Sequence, residues 1–209
     1  VLVTRAVALL PVLPGDLTSL EDCLEHLIEA ADEASAAGIA TTLLLTTSAP
    51  ASSTRPVLAS WAPLVDLLDD VSLEVEHHAV PDGTPTAVAD EVALLLARAS
   101  DGLRGRLEDP AATVVLTSTP DVAVGADWIT EHVRHHRAGA TASTGPVRRP
   151  GALHGGDGTG PDRHDPLANL AVRADLLLAG VLAALGRVPL VHALTPVVAG
   201  LPVTIRTAP

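Results

Sequence analysis

The feature that most constrains this chain is a repeated change of hydrophobic period. Short β-branched, apolar stretches alternate with longer segments whose apolar residues recur every three to four positions. Residues 5–13 predict a buried strand that stops at Pro14-Gly15. Leu20, Leu24, Leu27, Ile28 and Ala31 then predict a helix up to Gly38, opened by Thr18-Ser19-Leu20-Glu21 at capping-box spacing. Residues 39–47 predict a second strand, followed by a small polar loop at 48–54 and a short helix over 61–68. A strand over 71–80, a helix over 85–99 and a turn-rich stretch at 101–110 come next. Residues 113–117 predict a short strand, Asp127 is placed to cap a helix carrying Trp128, Ile129 and Val133, and 140–147 predict another strand. The glycine-rich stretch 148–166 reads as a flexible loop, 174–185 as a helix and 188–209 as extended chain.

Strands alternating with helices of these lengths specify βαβ units. The expectation is an α/β fold with a mostly parallel, Rossmann-like sheet flanked by helices on both faces. The 209 residues fit a single domain. In such sheets ligands bind beyond the carboxyl ends of the strands, near a topological switch point. That directs attention to residues 14–16, 46–54 and 117–124, and to the glycine loop.

Charge narrows the classes of partner. Thirteen cations, all arginine, stand against 25 carboxylates, a formal charge of -12. Phosphate-backbone binding rests on clustered cations, so nucleic acid is not expected as a partner. The chain has no Phe, Tyr or Met, which leaves Trp61 and Trp128 as its large aromatics and removes base stacking on an aromatic platform. The core must be Leu, Val and Ala. Cys23, alone and at a helical apolar position, reads as inert core. No apolar run approaches the roughly 20 residues of a membrane span, so no transmembrane segment is expected and the predicted location is cytoplasmic.

Several titratable clusters call for a reading. His132, His135 and His136, with Glu131, read as a solvated helix end favoured by the C-terminal dipole, although His132 and His136 share a face as a zinc-binding pair would. His77 and His78 should point to opposite faces of a strand end. Asp66, Asp69 and Asp70 read as a solvated helix end. His154, Asp157, Asp162, His164 and Asp165 have ligand atoms without a recognised metal spacing. Arg148 and Arg149 either draw in an anionic ligand or keep a loop in solvent.

The most informative segment is Val114-Val115-Leu116-Thr117-Ser118-Thr119-Pro120-Asp121, followed by Val122-Ala123-Val124-Gly125-Ala126-Asp127-Trp128. A strand ends, an acid follows its polar edge, and a helix opens on Asp-Trp. This order resembles the nucleotide-sugar-dependent glycosyltransferases of the GT-A fold, especially inverting family 2. The opening strand, proline-containing turn and first helix at 7–20, the returning strand at 139–147 and Asn169-Leu170-Ala171-Val172-Arg173 resemble further pieces of that family in the same order. The resemblance implies a nucleotide-sugar-binding half at 1–125 and an acceptor-side half at 126–209. It implies a nucleotide diphosphate sugar as donor, an acceptor it does not identify, and a divalent metal, Mg or Mn, held by Asp121. Pro11, Thr46, Thr47, Ser48, Arg98 and Thr119 would lie on the nucleotide side, and Asn169 and Arg173 on the acceptor side. A homodimer stays open.

The departures from that family are specific. Thr119-Pro120-Asp121 stands where the family has two acids, and Thr46-Thr47-Ser48 where an acid usually reads the nucleoside. Residues 176–209 hold no carboxylate, so His192 is the one neutral base there able to take the acceptor proton. The alternative is a GT-A-like domain without catalysis, acting as a binding or scaffolding protein. An unrelated hydrolase or dehydrogenase is disfavoured, because the glycine and serine signatures of those folds are missing.

Overall fold

The computed structural model describes residues 2–79, 88–144, 169–177 and 205–207. Among them, strands β1 (Arg5–Val12), β2 (Ala40–Thr47), β3 (Val71–His77), β4 (Thr113–Thr117), β5 (Ala142–Thr144), β6 (Leu170–Arg173) and β7 (Ile205–Thr207) form one sheet in the order β3-β2-β1-β4-β6-β5-β7. β1, β2, β3 and β4 run parallel, and β6 lies antiparallel between β4 and β5. The expected α/β architecture with a mostly parallel sheet is what the chain adopts. Its order reverses at β1, whose neighbours are β2 on one side and β4 on the other; the switch point is the β1–β4 crevice.

Alternation along each strand sorts the core into two layers. Ala6, Ala8, Leu10 and Val12 of β1, with Leu43, Leu45, Val114, Leu116 and Ala171, face helices α1 (Leu20–Ala36), α2 (Ala51–Val65) and α4 (Trp128–Arg137). Val7, Leu9, Leu44, Val115, Leu170 and Val172 face α3 (Val88–Arg106) and the short α5 (Ala174–Leu177). Leucine takes the place of aromatics throughout. Each buried leucine is worth about 2 kcal/mol over exposure, and α1 alone buries Leu20, Leu24 and Leu27 among small alanines.

Four local features differ from the sequence expectations. The polar stretch at 48–54 is not all loop: α2 starts at Ala51 and tolerates Pro56 and Pro63. α3 continues through the turn-rich region to Arg106 because Leu103 is buried and Arg106 pairs with Glu74 and Glu76 on β3. That tertiary anchoring outweighs the helix cost of Gly102 and Gly105. The capping box at 18–21 does not form; Ser19 Oγ donates instead to the carbonyl of Asp16. Asp127 occupies the N-cap of α4 without a side-chain bond.

Candidate functional site

The carboxyl ends of β1, β2 and β4 form a rim built mostly from hydroxyls and main chain. Pairing of β1 with β4 ends at Leu9 and Thr117. Pro11, buried two residues further on, has no N–H to extend the ladder, so the crevice opens there. After β1 the chain turns tightly: the Leu13 amide donates to Asp16 Oδ2 at 2.9 Å, which spends that carboxylate on its own turn. After β2, Thr47 Oγ1 donates to the Val12 carbonyl at 2.7 Å and accepts from the Ala49 amide at 2.9 Å. One threonine thus locks the β2–α2 loop to the end of β1. Beside it, His77 Nδ1 meets the Ala49 carbonyl at 3.2 Å.

Two hydroxyls are left over. Ser48 Oγ after β2 and Ser118 Oγ after β4 are both buried and have no hydrogen-bond partner among the described residues. A buried hydroxyl without a partner costs about 1–3 kcal/mol, and these two flank the end of β1.

Asp121 lies on the turn four residues past β4. It is exposed, its Oδ1 accepts from Thr119 Oγ1 at 2.6 Å, and the Val122 amide donates to the Thr119 carbonyl to hold the turn. It lines a cleft of about 340 Å³ between this turn and the start of α1, together with Asp22, Cys23, Glu25 and His26. The Cys23 thiol is buried beside the Thr119 carbonyl. Burial first, and the negative charge of Asp121 second, push it up to about 12, so it stays protonated and unreactive. Among the described residues, no three carboxylate, histidine or cysteine side chains converge to hold a metal ion. An all-protein cage is therefore not the fit. Mg²⁺ commonly uses one or two carboxylates and completes its shell with water and substrate phosphates, and Asp121 suits that mode.

The structure separates several residues that the sequence grouped. Thr46 is fully buried and its hydroxyl donates to the Leu95 carbonyl on α3 at 3.3 Å, behind the sheet, so it presents nothing to the rim. Arg98 sits on the solvent side of α3, opposite Leu95, Leu96 and Ala99, which pack inward. Asn169 and Arg173 lie at opposite ends of β6. Because β6 is antiparallel to β4, Leu170 pairs with Thr117 at the rim while Arg173 pairs with Val114 at the far end. Arg173 is bonded there to Asp175. His192, Arg148, Arg149 and the acidic glycine loop lie outside the described residues.

The histidine cluster corrects the sequence reading most clearly. His132, His135 and His136 are not solvated; they are 1%, 7% and 3% exposed. α4 lays part of its polar face on β5 and β6 as well as its apolar one on α1. His132 Nδ1 meets Ser143 Oγ at 2.6 Å and its Nε2 meets Asn169 Oδ1 at 2.7 Å. Asn169 Oδ1 also accepts from Trp128 Nε1 at 2.9 Å. Burial pushes His132 down to about 4, against the raising effect of Asn169, and burial likewise pushes His136 down to about 4. The signal was present in sequence, as Trp128 and His132 fall one turn apart on the face that carries Ile129 and Val133. The carboxylates Asp22 and Glu25 of the cleft were missed too, although their spacing places them on one helix side.

The sheet order and the switch point define an α/β fold with a mostly parallel sheet. In structural comparison the chain aligns over its whole length with 4-diphosphocytidyl-2C-methyl-D-erythritol synthase, at 12% identity and TM-score 0.55, covering 91% of that chain. The corresponding protein from Anaerococcus prevotii aligns at 12% identity and TM-score 0.58, over 98% of this chain and 88% of that one. A protein described as a nucleotide-diphospho-sugar transferase, from Desulfovibrio desulfuricans, aligns at 9% identity and TM-score 0.51, over 98% and 79%. No protein-family model matches the sequence, and no curated protein matches it by sequence. The chain shares the fold of these three proteins, without a particular tie to glycosyltransferase family 2. No helix among the described residues is long and apolar enough to cross a membrane.

Proposed function

We propose that this domain binds a nucleotide diphosphate sugar at the β1–β4 crevice and transfers the sugar to an acceptor hydroxyl. The observation that carries the reading is the placement of Asp121: an exposed carboxylate on the turn after β4, at the switch point of a nucleotide-transferase fold. The nucleoside side is Pro11, Thr47 and Ser48 with Ser118 and Thr119. Thr46 and Arg98 drop out of it on their positions. Asn169 is the residue on the acceptor side of the rim. Asp22, Glu25 and Asp121 make the cleft negative, so a diphosphate needs a bridging cation there. Asp121 would hold that Mg or Mn together with the phosphates, and the metal supplies charge neutralisation to the departing diphosphate.

The transfer forms a bond from the acceptor oxygen to the anomeric carbon and breaks the bond from that carbon to the diphosphate. The acceptor proton passes to a base, for which His192 is the sequence candidate. Attack opposite the leaving group inverts the anomeric centre. A second reading is favoured by the Thr119 hydroxyl already engaging Asp121 Oδ1: a domain that binds nucleotide without turnover.

Incubating the full chain with a panel of uridine, guanosine, thymidine and cytidine diphosphate sugars, Mn²⁺ and simple sugar acceptors separates the two. Release of nucleoside diphosphate that Asp121→Asn abolishes supports transfer. Binding without release supports the second reading. Absence of both at millimolar nucleotide overturns the site.

A further inference from the structure

We propose that α4 is a pH-sensitive clasp: two buried histidines, His132 and His136, hold the helix on β5 and β6 while their rings are neutral, and let it go when they charge. This concerns the protein alone and does not rest on the nucleotide reading.

The geometry is unusual for so small a helix. α4 has ten residues and is seated on the sheet by Trp128, Ile129 and Val133 together with three imidazoles. His132 bridges β5 and β6 through Ser143 and Asn169. Both ring nitrogens of His135 are buried without a partner among the described residues. Burial outweighs the charges that act on these rings. α4 contributes Glu131, half-buried and bonded to Arg134, whose charge favours imidazolium at His132, and β6 contributes Arg173, whose charge opposes that of His136. The described residues of β4 and β5 carry no ionised side chain. α1 turns Cys23, Leu24 and Leu27 inward and keeps its acids outward, with His26 in the cleft.

Protonation need not break the His132 bonds, because Ser143 can turn its hydroxyl to accept. What fails is the burial of charge itself. Rings held near 4 in the fold and near 6.5 when released favour release by roughly thirtyfold each at pH 5, so two rings reach several hundredfold. A freed ten-residue helix is too short to persist alone. Its departure would loosen the turn that carries Asp121, while α1 stays packed on β1 and β2.

The test is hydrogen exchange of the full chain at pH 7.5 and pH 5.0, corrected for intrinsic rates and read by segment. The expected result is a loss of protection of a hundredfold or more over 128–144, with 7–10 and 43–45 still protected. Equal loss in both regions, or none in either, overturns the proposal. In a His132→Gln, His136→Leu double variant the acid response of 128–144 should shrink by at least thirtyfold; an unchanged response also overturns it. If that variant does not fold, ring titration of the wild type by NMR decides: rings titrating below pH 5 support the clasp, and rings titrating near 6.5 refute it.

Discussion

The two sides of β1 solve the same packing problem by different means. Toward β2 and β3 the layer is leucine and alanine, and its buried threonines are tied to main chain, as at Thr41, Thr46 and Thr47. Toward β4, β6 and β5 the strands are short and the covering helix brings imidazoles, an asparagine and a tryptophan into one hydrogen-bonded group. The second side buries the imidazoles of His132 and His136, both pushed down to about 4, and it also carries Asp121. Stability and chemistry are therefore divided across the sheet, with the switch point at the boundary.

The largest effect expected from this contrast is acid sensitivity. His132 and His136 have folded values below their ordinary one, so they contribute no penalty well above pH 6.5. The penalty grows as pH falls and is complete below about 4. Between pH 7.5 and 5 the two rings should remove about 4 kcal/mol of stability. Urea denaturation at both pH values checks this, and His136→Leu should reduce the drop by about half. On the other side of β1, Leu24→Ala should cost roughly 3 kcal/mol by leaving a cavity, and the cost should be the same at both pH values.

Smaller effects follow at the surface. Asp121→Asn should change stability by under about 0.5 kcal/mol, since the side chain is exposed, while lowering the Cys23 thiol value, measurable as faster alkylation at high pH. Arg106→Ala removes the bonds to Glu74 and Glu76 from half-exposed positions. It should cost no more than about 1 kcal/mol, and less at high salt.

The sequence made the architecture legible because period changes report which faces are buried, and its leucine- and valine-rich segments leave few other ways to close a core. What it hid was set by contacts distant in the chain. The insertion of β6 antiparallel between β4 and β5 depends on pairing Leu170 with Thr117, and no local pattern encodes it. The burial of the histidines depends on partners far along the chain, Ser143 and Asn169. At the site, Asp121 and the turn around it were readable from a strand running into a polar edge. Thr46 and Arg98 were not, because adjacent residues on a strand face opposite ways and a helix position names no partner.

The central claim is that the β1–β4 crevice takes a nucleotide diphosphate through Asp121. Calorimetric titration of the wild type and Asp121→Asn with uridine and cytidine diphosphates, with and without Mn²⁺, tests it most directly. The account predicts Mn²⁺-dependent heat with a dissociation constant below a millimolar in the wild type, weakened tenfold or more by the substitution. Metal-independent binding unaffected by Asp121→Asn, or no heat at millimolar nucleotide, contradicts it.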